Sequence, residues 1–184
     1  EVTPLNPTTL YGACKHSLQI ILNASAEQNG ISAAWGRLFY IYGPHEPLSR
    51  LVPSVILSLL KGEVALCTHG NQIRDLLYVK DVADAFITLV ESDVSGPINI
   101  ASGNPVRLKD VIYKIADKLN MQDLIQLGVL PVPKDDPSLL VANVSRLENE
   151  LNWHPKYDLD RGLEETINWW KNQLTEAGKS EIKI

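Results

Sequence analysis

Cysteine is nearly absent from this chain: Cys14 and Cys67 are the only two in 184 residues. Two cysteines offer no disulfide framework, which fits a reducing compartment, and a cytoplasmic location is the expectation. Neither cysteine forms a cluster of metal-ligand spacing with His16, His45, His69 or His154, so no metal is expected. Long apolar runs are also missing. The longest, Leu51 to Leu60, falls well short of the roughly 20 residues that span a bilayer. The N-terminus lacks a basic region followed by an apolar core, so the sequence points to no membrane partner. Basic stripes are missing too. The formal net charge is −5 and the lysines and arginines are scattered, which argues against a nucleic-acid surface but leaves room for one local anion site.

What is present is enough to build a core, since 45% of the residues are hydrophobic and 21% charged. Asn6-Pro7 reads as the cap and first turn of a helix in which Leu10, Cys14, Leu18, Ile21 and Ser25 form a buried stripe. Asn29-Gly30 stops it. Ile31 to Leu38 reads as a strand covered on both faces, broken by Gly43-Pro44. The stripe from Leu51 to Leu60 predicts a second helix ending at Gly62, followed by strands at Val64–Cys67 and Ile73–Val79. Asp81 is the expected cap of a third helix, and Ile98-Asn99-Ile100 is strand-like. Leu108 to Leu119 predicts another helix. After a proline-rich connection, Pro131 to Pro137, two more are expected near Ser145–Leu151 and Arg161–Leu174, with the last ten residues frayed.

This alternation is an α/β pattern without internal repeats. An open nucleotide-binding sheet carries a glycine-rich phosphate loop after its first strand, and no Gly-x-Gly-x-x-Gly or related cluster occurs here. The chain also begins with Glu1 rather than Met. We read it as a fragment or a processed product whose first half of such a domain lies elsewhere.

Tyr11 and Lys15, four residues apart, share one helical face and would point a phenol and an ammonium into the same cleft. A nearby cation favours a phenolate, which brings a tyrosine toward acid–base work at neutral pH. The pair alone is common by chance. His45-Glu46 reads as a solvated turn, Arg74-Asp75 could be a surface ion pair, and Cys14 reads as a small buried residue. Trp153, Trp169 and Trp170 read as core and packing residues.

The order of motifs then carries a resemblance. Glu1-x-x-Pro4-x-x-Pro7, Tyr11-x-x-x-Lys15, Arg37 to Pro44, Arg74 to Ala85 and Asn99-Ile100-Ala101-Ser102-Gly103 resemble the extended short-chain dehydrogenase/reductases. Within them, the chain is similar to the NAD-dependent nucleotide-sugar epimerases and dehydratases. Leu151 to Pro155, Gly162-Leu163 and Trp169-Trp170 extend the likeness to about residue 170.

The resemblance implies the C-terminal part of a Rossmann-like doubly wound parallel sheet plus a smaller α/β substrate-binding domain. Residues 1–43 would belong to the dinucleotide-binding domain and 44–184 to the sugar-nucleotide domain, with 80–102 packing back on the Rossmann sheet. It implies Tyr11 as general base and acid, and Lys15 as the residue holding the nicotinamide ribose of NAD or NADP. Phe39 matches a position beside the nicotinamide. Tyr40 stands where relatives commonly carry Asn, which bears on the substrate pose. Arg74 matches the arginine on the substrate diphosphate, Arg50 and Leu51 fall where the family contacts the nucleotide, and Asp136 is a looser match to its ribose contact.

The implied function is an NAD(P)-dependent epimerase or dehydratase acting on a nucleotide-diphosphate sugar, in a homodimer. The alternatives are an NADPH-dependent 4-keto sugar-nucleotide reductase and, for this stretch alone, a non-catalytic binding or assembly module. This stretch alone is expected to be inactive.

Overall fold

The computed structural model describes the backbone of residues 1–181 and side chains through residue 176. In chain order it forms α1 (Leu10–Asn29), β1 (Ala34–Leu38), β2 (Tyr40–Tyr42), α2 (Leu51–Leu60), β3 (Ala65–Leu66), β4 (Ile73–Tyr78), α3 (Val79–Val90) and β5 (Gly96–Ile100). Then follow β6 (Pro105–Arg107), α4 (Leu108–Leu119), a 3-10 turn at Gln122–Leu124, β7 (Ile125–Gln126), β8 (Leu139–Leu140), α5 (Ser145–Asn149) and α6 (Leu159–Glu181).

Parallel pairing dominates. β1 pairs with β5 from Ala34↔Gly96 to Leu38↔Ile100, and β2 pairs with β4 from Tyr40↔Leu76 to Tyr42↔Tyr78. The switch from one partner to the other falls at Phe39, between β1 and β2. β4 also takes β6 antiparallel and β8 parallel, both at its Ile73-Arg74 end, so residues from four separate stretches meet around Arg74.

Several local expectations give way to tertiary context. α1 is capped by Thr9, whose hydroxyl accepts from the Gly12 N–H at 3.1 Å, and Asn6 lies ahead of it in irregular chain. Its C-terminus does end at Gly30, in the left-handed conformation. The expected buried stripe is exposed: Leu10 is 82%, Leu18 50% and Ile21 63% accessible, Cys14 is exposed too, and Gln19 is the helix's buried residue. Ile31 precedes the strand and is exposed, while Ala34 to Arg37 are only half-buried.

Asp81 is not a cap either. α3 begins two residues earlier, and the 1%-exposed Asp81 carboxylate accepts from the backbone N–H groups of Lys156 and Tyr157, both at 3.1 Å. Trp153 donates its indole N–H to Asp84 at 2.8 Å, which docks the same C-terminal segment on α3. Trp153 and Trp170 are core residues as expected. α6 runs through Glu181, into the end expected to fray; residues 182–184 lie outside the described residues.

Two apolar cores hold the elements. One joins α2, α4 and α6 over Ile56, Leu59, Ile112, Ile115 and Leu163, with Tyr42 and Tyr78 at its edge. The other packs α3, β5 and α5 around Leu77, Ala85, Ile98, Leu147 and Trp153. α6 approaches the first core so closely that a Cβ on Gly162 would stand 2.1 Å from the Tyr42 hydroxyl. Gly162→Ala is therefore expected to lower stability by about 1–3 kcal/mol despite the better helix propensity of alanine. Denaturant unfolding checks this; an unchanged midpoint would show that Tyr42 can move aside.

Candidate active site

β4 plants Arg74 in the middle of the sheet, where its neighbours on both sides bury it to 2% exposure. A guanidinium so placed needs partners. Nη2 pairs with Asp136 Oδ1 at 2.5 Å and Nη1 donates to the Ile73 carbonyl at 2.9 Å. The amide of Gln72, itself 5% exposed, donates to the other Asp136 oxygen at 3.1 Å. Arg74 on β4 and Gln72 just ahead of the strand thus fix one carboxylate from the proline-rich connection. The surface-pair reading of Arg74-Asp75 does not hold. Asp75 is fully buried and accepts from Ser102 N–H and Oγ–H, Gly103 N–H and Ala142 N–H instead.

Register brings Tyr40 to the same place. It faces Leu76, and Arg74 lies two residues from Leu76 on the same face of β4, so the guanidinium sits 5.3 Å from the Tyr40 ring centroid. A phenol where the family pattern has a small amide is thus accommodated by lying against the arginine. The chain then leaves β2 through Gly43, at φ 145, where a Cβ would meet Val79 at 2.6 Å. His45 follows at φ 65, its ring 4.6 Å from that of Trp169 on α6.

These elements enclose a cavity of about 690 Å³. Phe39, Tyr40, Arg50, Leu51, Arg74 and Asp136, spread over nearly a hundred residues of sequence, all line it. Among the other lining residues are His45 and Glu46, to which sequence reasoning gave no part in the site. The expected solvated turn holds for His45, which is exposed, but both it and the half-buried Glu46 also form part of the cavity wall. Burial pushes the Glu46 carboxyl from its ordinary 4.5 up to about 7, against the pull of Arg50 and the Gly43 backbone N–H. A short acidic loop between two prolines gave no sign of this.

Tyr11 and Lys15 lie apart from that cavity. Tyr11 is 73% exposed, with the Lys15 ammonium 5.8 Å from its ring centroid. Lys15 lines a smaller hollow of about 340 Å³ with Asn6, Pro7, Trp35 and Arg37 among others, and Tyr11 projects from the surface of the described chain. Arg37 ties this end down, donating to the Glu1 carbonyl at 3.0 Å and to Gln19 at 3.5 Å. Tyr42 and Tyr78 are excluded as acid–base groups near neutral pH. Burial, followed by neighbouring charges or hydrogen bonds, raises both phenols far above the ordinary tyrosine range.

A family model described as NAD dependent epimerase/dehydratase matches residues 1–101, more than half of the chain. The chain belongs to this family. It is 27% identical over 184 residues to UDP-glucuronic acid decarboxylase 1 of Xenopus tropicalis, covering 98% of this chain and 43% of that protein. It is 29% identical over 178 residues to dTDP-glucose 4,6-dehydratase of Escherichia coli, covering 92% and 49%. The chain thus spans about half the length of the curated relatives it matches. Among solved structures, UDP-N-acetylglucosamine 4-epimerase from Methanobrevibacter ruminantium M1 in complex with UDP-N-acetylmuramic acid superposes with a TM-score of 0.83. The identity is 29%, covering 94% of this chain and 58% of that one. dTDP-glucose 4,6-dehydratase from Bacillus anthracis in complex with NAD superposes equally well, at 0.83 and 25% identity, covering 95% and 56%.

The α/β architecture of this epimerase/dehydratase family member, with its parallel strand pairs, is accordingly that of part of a Rossmann-type fold. The residues present fit only one end of a dinucleotide. Lys15 and the exposed Tyr11 offer a polar edge and half-buried Phe39 an apolar surface, while the glycine-rich turn that would let a pyrophosphate approach a helix N-terminus is missing from the sequence.

Proposed function

We propose that the full-length protein converts a nucleotide-diphosphate sugar by epimerase or dehydratase chemistry. The observation that carries the reading is the convergence of Tyr40, Arg50, Leu51, Arg74 and Asp136 on one cavity. In this reading Arg74 takes the diphosphate through a planar, charge-assisted contact, exchanging or sharing its bond to Asp136. Arg50 and Leu51 flank the nucleotide, Asp136 holds the ribose, and Tyr40 meets the sugar. Tyr11 removes a proton from a sugar hydroxyl and returns it in the reverse step, with Lys15 and Phe39 on the nicotinamide side. Bound NAD supplies a hydride acceptor.

The relatives' names include a decarboxylase, a dehydratase and an epimerase, all named for nucleotide-diphosphate sugars. A panel of UDP-, dTDP- and CDP-sugars incubated with full-length protein and NAD, with products read by NMR, tests the reading. Conversion of at least one is the expected result. No conversion of any would overturn it.

The 184-residue chain alone should be inactive and should bind NAD only weakly, because it offers no pyrophosphate cradle. We further propose a homodimer built on α1, whose Leu10, Leu18, Ile20 and Ile21 lie exposed together with Ile31. Light scattering of the chain should show association. A clean monomer with micromolar NAD affinity would overturn both statements.

A further inference from the structure

Glu46 is the cavity's unassigned group. Its loop leaves β2 at Gly43, where Val79 packs so close that a Cβ would stand 2.6 Å from it, and Arg50 N–H closes on the Pro47 carbonyl at 2.9 Å just before α2. His45, its ring tilted 54° against that of Trp169, lines the cavity beside it. Within this frame Glu46 lines the cavity, and its Oε2 is buried with no hydrogen-bond partner among the described residues. An acceptor oxygen kept out of water and left unpaired costs free energy unless a donor arrives. The other groups of the lining with a charge or a titratable proton are Tyr40, Tyr42, His45, Arg50, Arg74 and Asp136. Arg74 is taken by Asp136, and Arg50 on the same loop is the cation that Glu46 feels.

We infer that Glu46 is a ligand-contacting residue of this cavity, its carboxylate accepting a hydrogen bond from an N–H or O–H of the nucleotide half of the bound sugar nucleotide. This rests on the reading of the cavity as a nucleotide-diphosphate sugar site, in which the neighbouring Arg50 and Leu51 flank the nucleotide.

The contact has a proton signature. In the free protein the carboxyl titrates at about 7 because of burial. A ligand donor on the carboxylate stabilises the ionised form, so binding below pH 7 expels the proton Glu46 holds. A nucleotide-diphosphate sugar carries no phosphate proton of its own in this range. Affinity should therefore rise about tenfold from pH 6 to pH 8 and level off, the linkage limit for a group near 7 that is ionised in the complex. Deprotonation of a cationic group would weaken an anion's binding as pH rises, the opposite sign.

The test is calorimetry of full-length protein with whichever of UDP-glucose, dTDP-glucose and CDP-glucose binds most tightly. Titrations at pH 6.5 in two buffers of different ionisation enthalpy should show release of roughly three-quarters of a proton per ligand, the fraction protonated in the free state. That measurement needs no variant. Glu46→Gln, which keeps the shape and loses the proton, should abolish both the release and the rise of affinity with pH. For UDP-bound ligands the released fraction should be the same with UDP-glucose and UDP-glucuronic acid, because the contact is to the nucleotide. Proton uptake by wild type, or the same pH profile in the variant, overturns the inference and leaves the cavity reading intact. A release seen with only one sugar overturns the assignment to the nucleotide half. No binding of any of the three overturns the cavity reading and this inference with it.

Discussion

Tyr11→Phe is expected to lower turnover of the full-length protein by about 10²–10⁴-fold, the usual contribution of a positioned acid–base group, while leaving sugar-nucleotide affinity nearly unchanged. The substitution removes one hydroxyl from a side chain that is 73% exposed in this chain, so it takes nothing from either core. It leaves the ring over which the Lys15 ammonium sits at 5.8 Å. It also leaves the cavity around Arg74 intact, because Tyr11 does not line it. Steady-state kinetics with a converted sugar nucleotide decides the matter. Wild-type turnover would remove Tyr11 from the mechanism, and a raised KM with unchanged kcat would make it a binding residue.

Arg74→Ala should weaken sugar-nucleotide binding by about 1.5–3 kcal/mol, or roughly 10- to 150-fold in Kd. The upper end is the better expectation. Removing the guanidinium deletes the proposed anion contact and also strips Asp136 of its counter-ion, leaving a carboxylate held by Gln72 in the cavity proposed to take the diphosphate. Arg74→Lys should recover part of the loss, since it restores charge without the planar fork. A sugar lacking the diphosphate should lose much less. Equal losses for both ligands in calorimetry would mean that Arg74 serves only to hold the sheet and the proline-rich connection together.

The helices and strands that pack on both sides of the core were the legible part of the chain. α2 and α4 carry their apolar residues at helical spacing and bury them, so Leu51–Leu60 and Leu108–Leu119 fall where the pattern places them. α1 has a similar spacing and does not bury it. Periodicity reports which face could be covered, and the cover for Leu10, Leu18 and Ile21 is not supplied by the described residues. Thr9 and Asp81 show the same limit at single positions. A capping residue is chosen by where the chain turns, and Asp81 finds better donors in Lys156 and Tyr157, which lie 75 and 76 residues away in sequence.

The motif order by itself determined the family and named Tyr40, Arg50, Leu51, Arg74 and Asp136, because side-chain chemistry and spacing along the chain are one-dimensional facts. Only the tertiary structure decided that these residues share one cavity, that Asp136 is the partner of Arg74, and that His45 and Glu46 belong to the same wall. The physical reason lies in β4. A strand that pairs with β2, β6 and β8 draws in residues from distant stretches and buries Arg74 among them, so that its guanidinium pairs with Asp136; burial likewise raises the Glu46 carboxyl on the loop after β2.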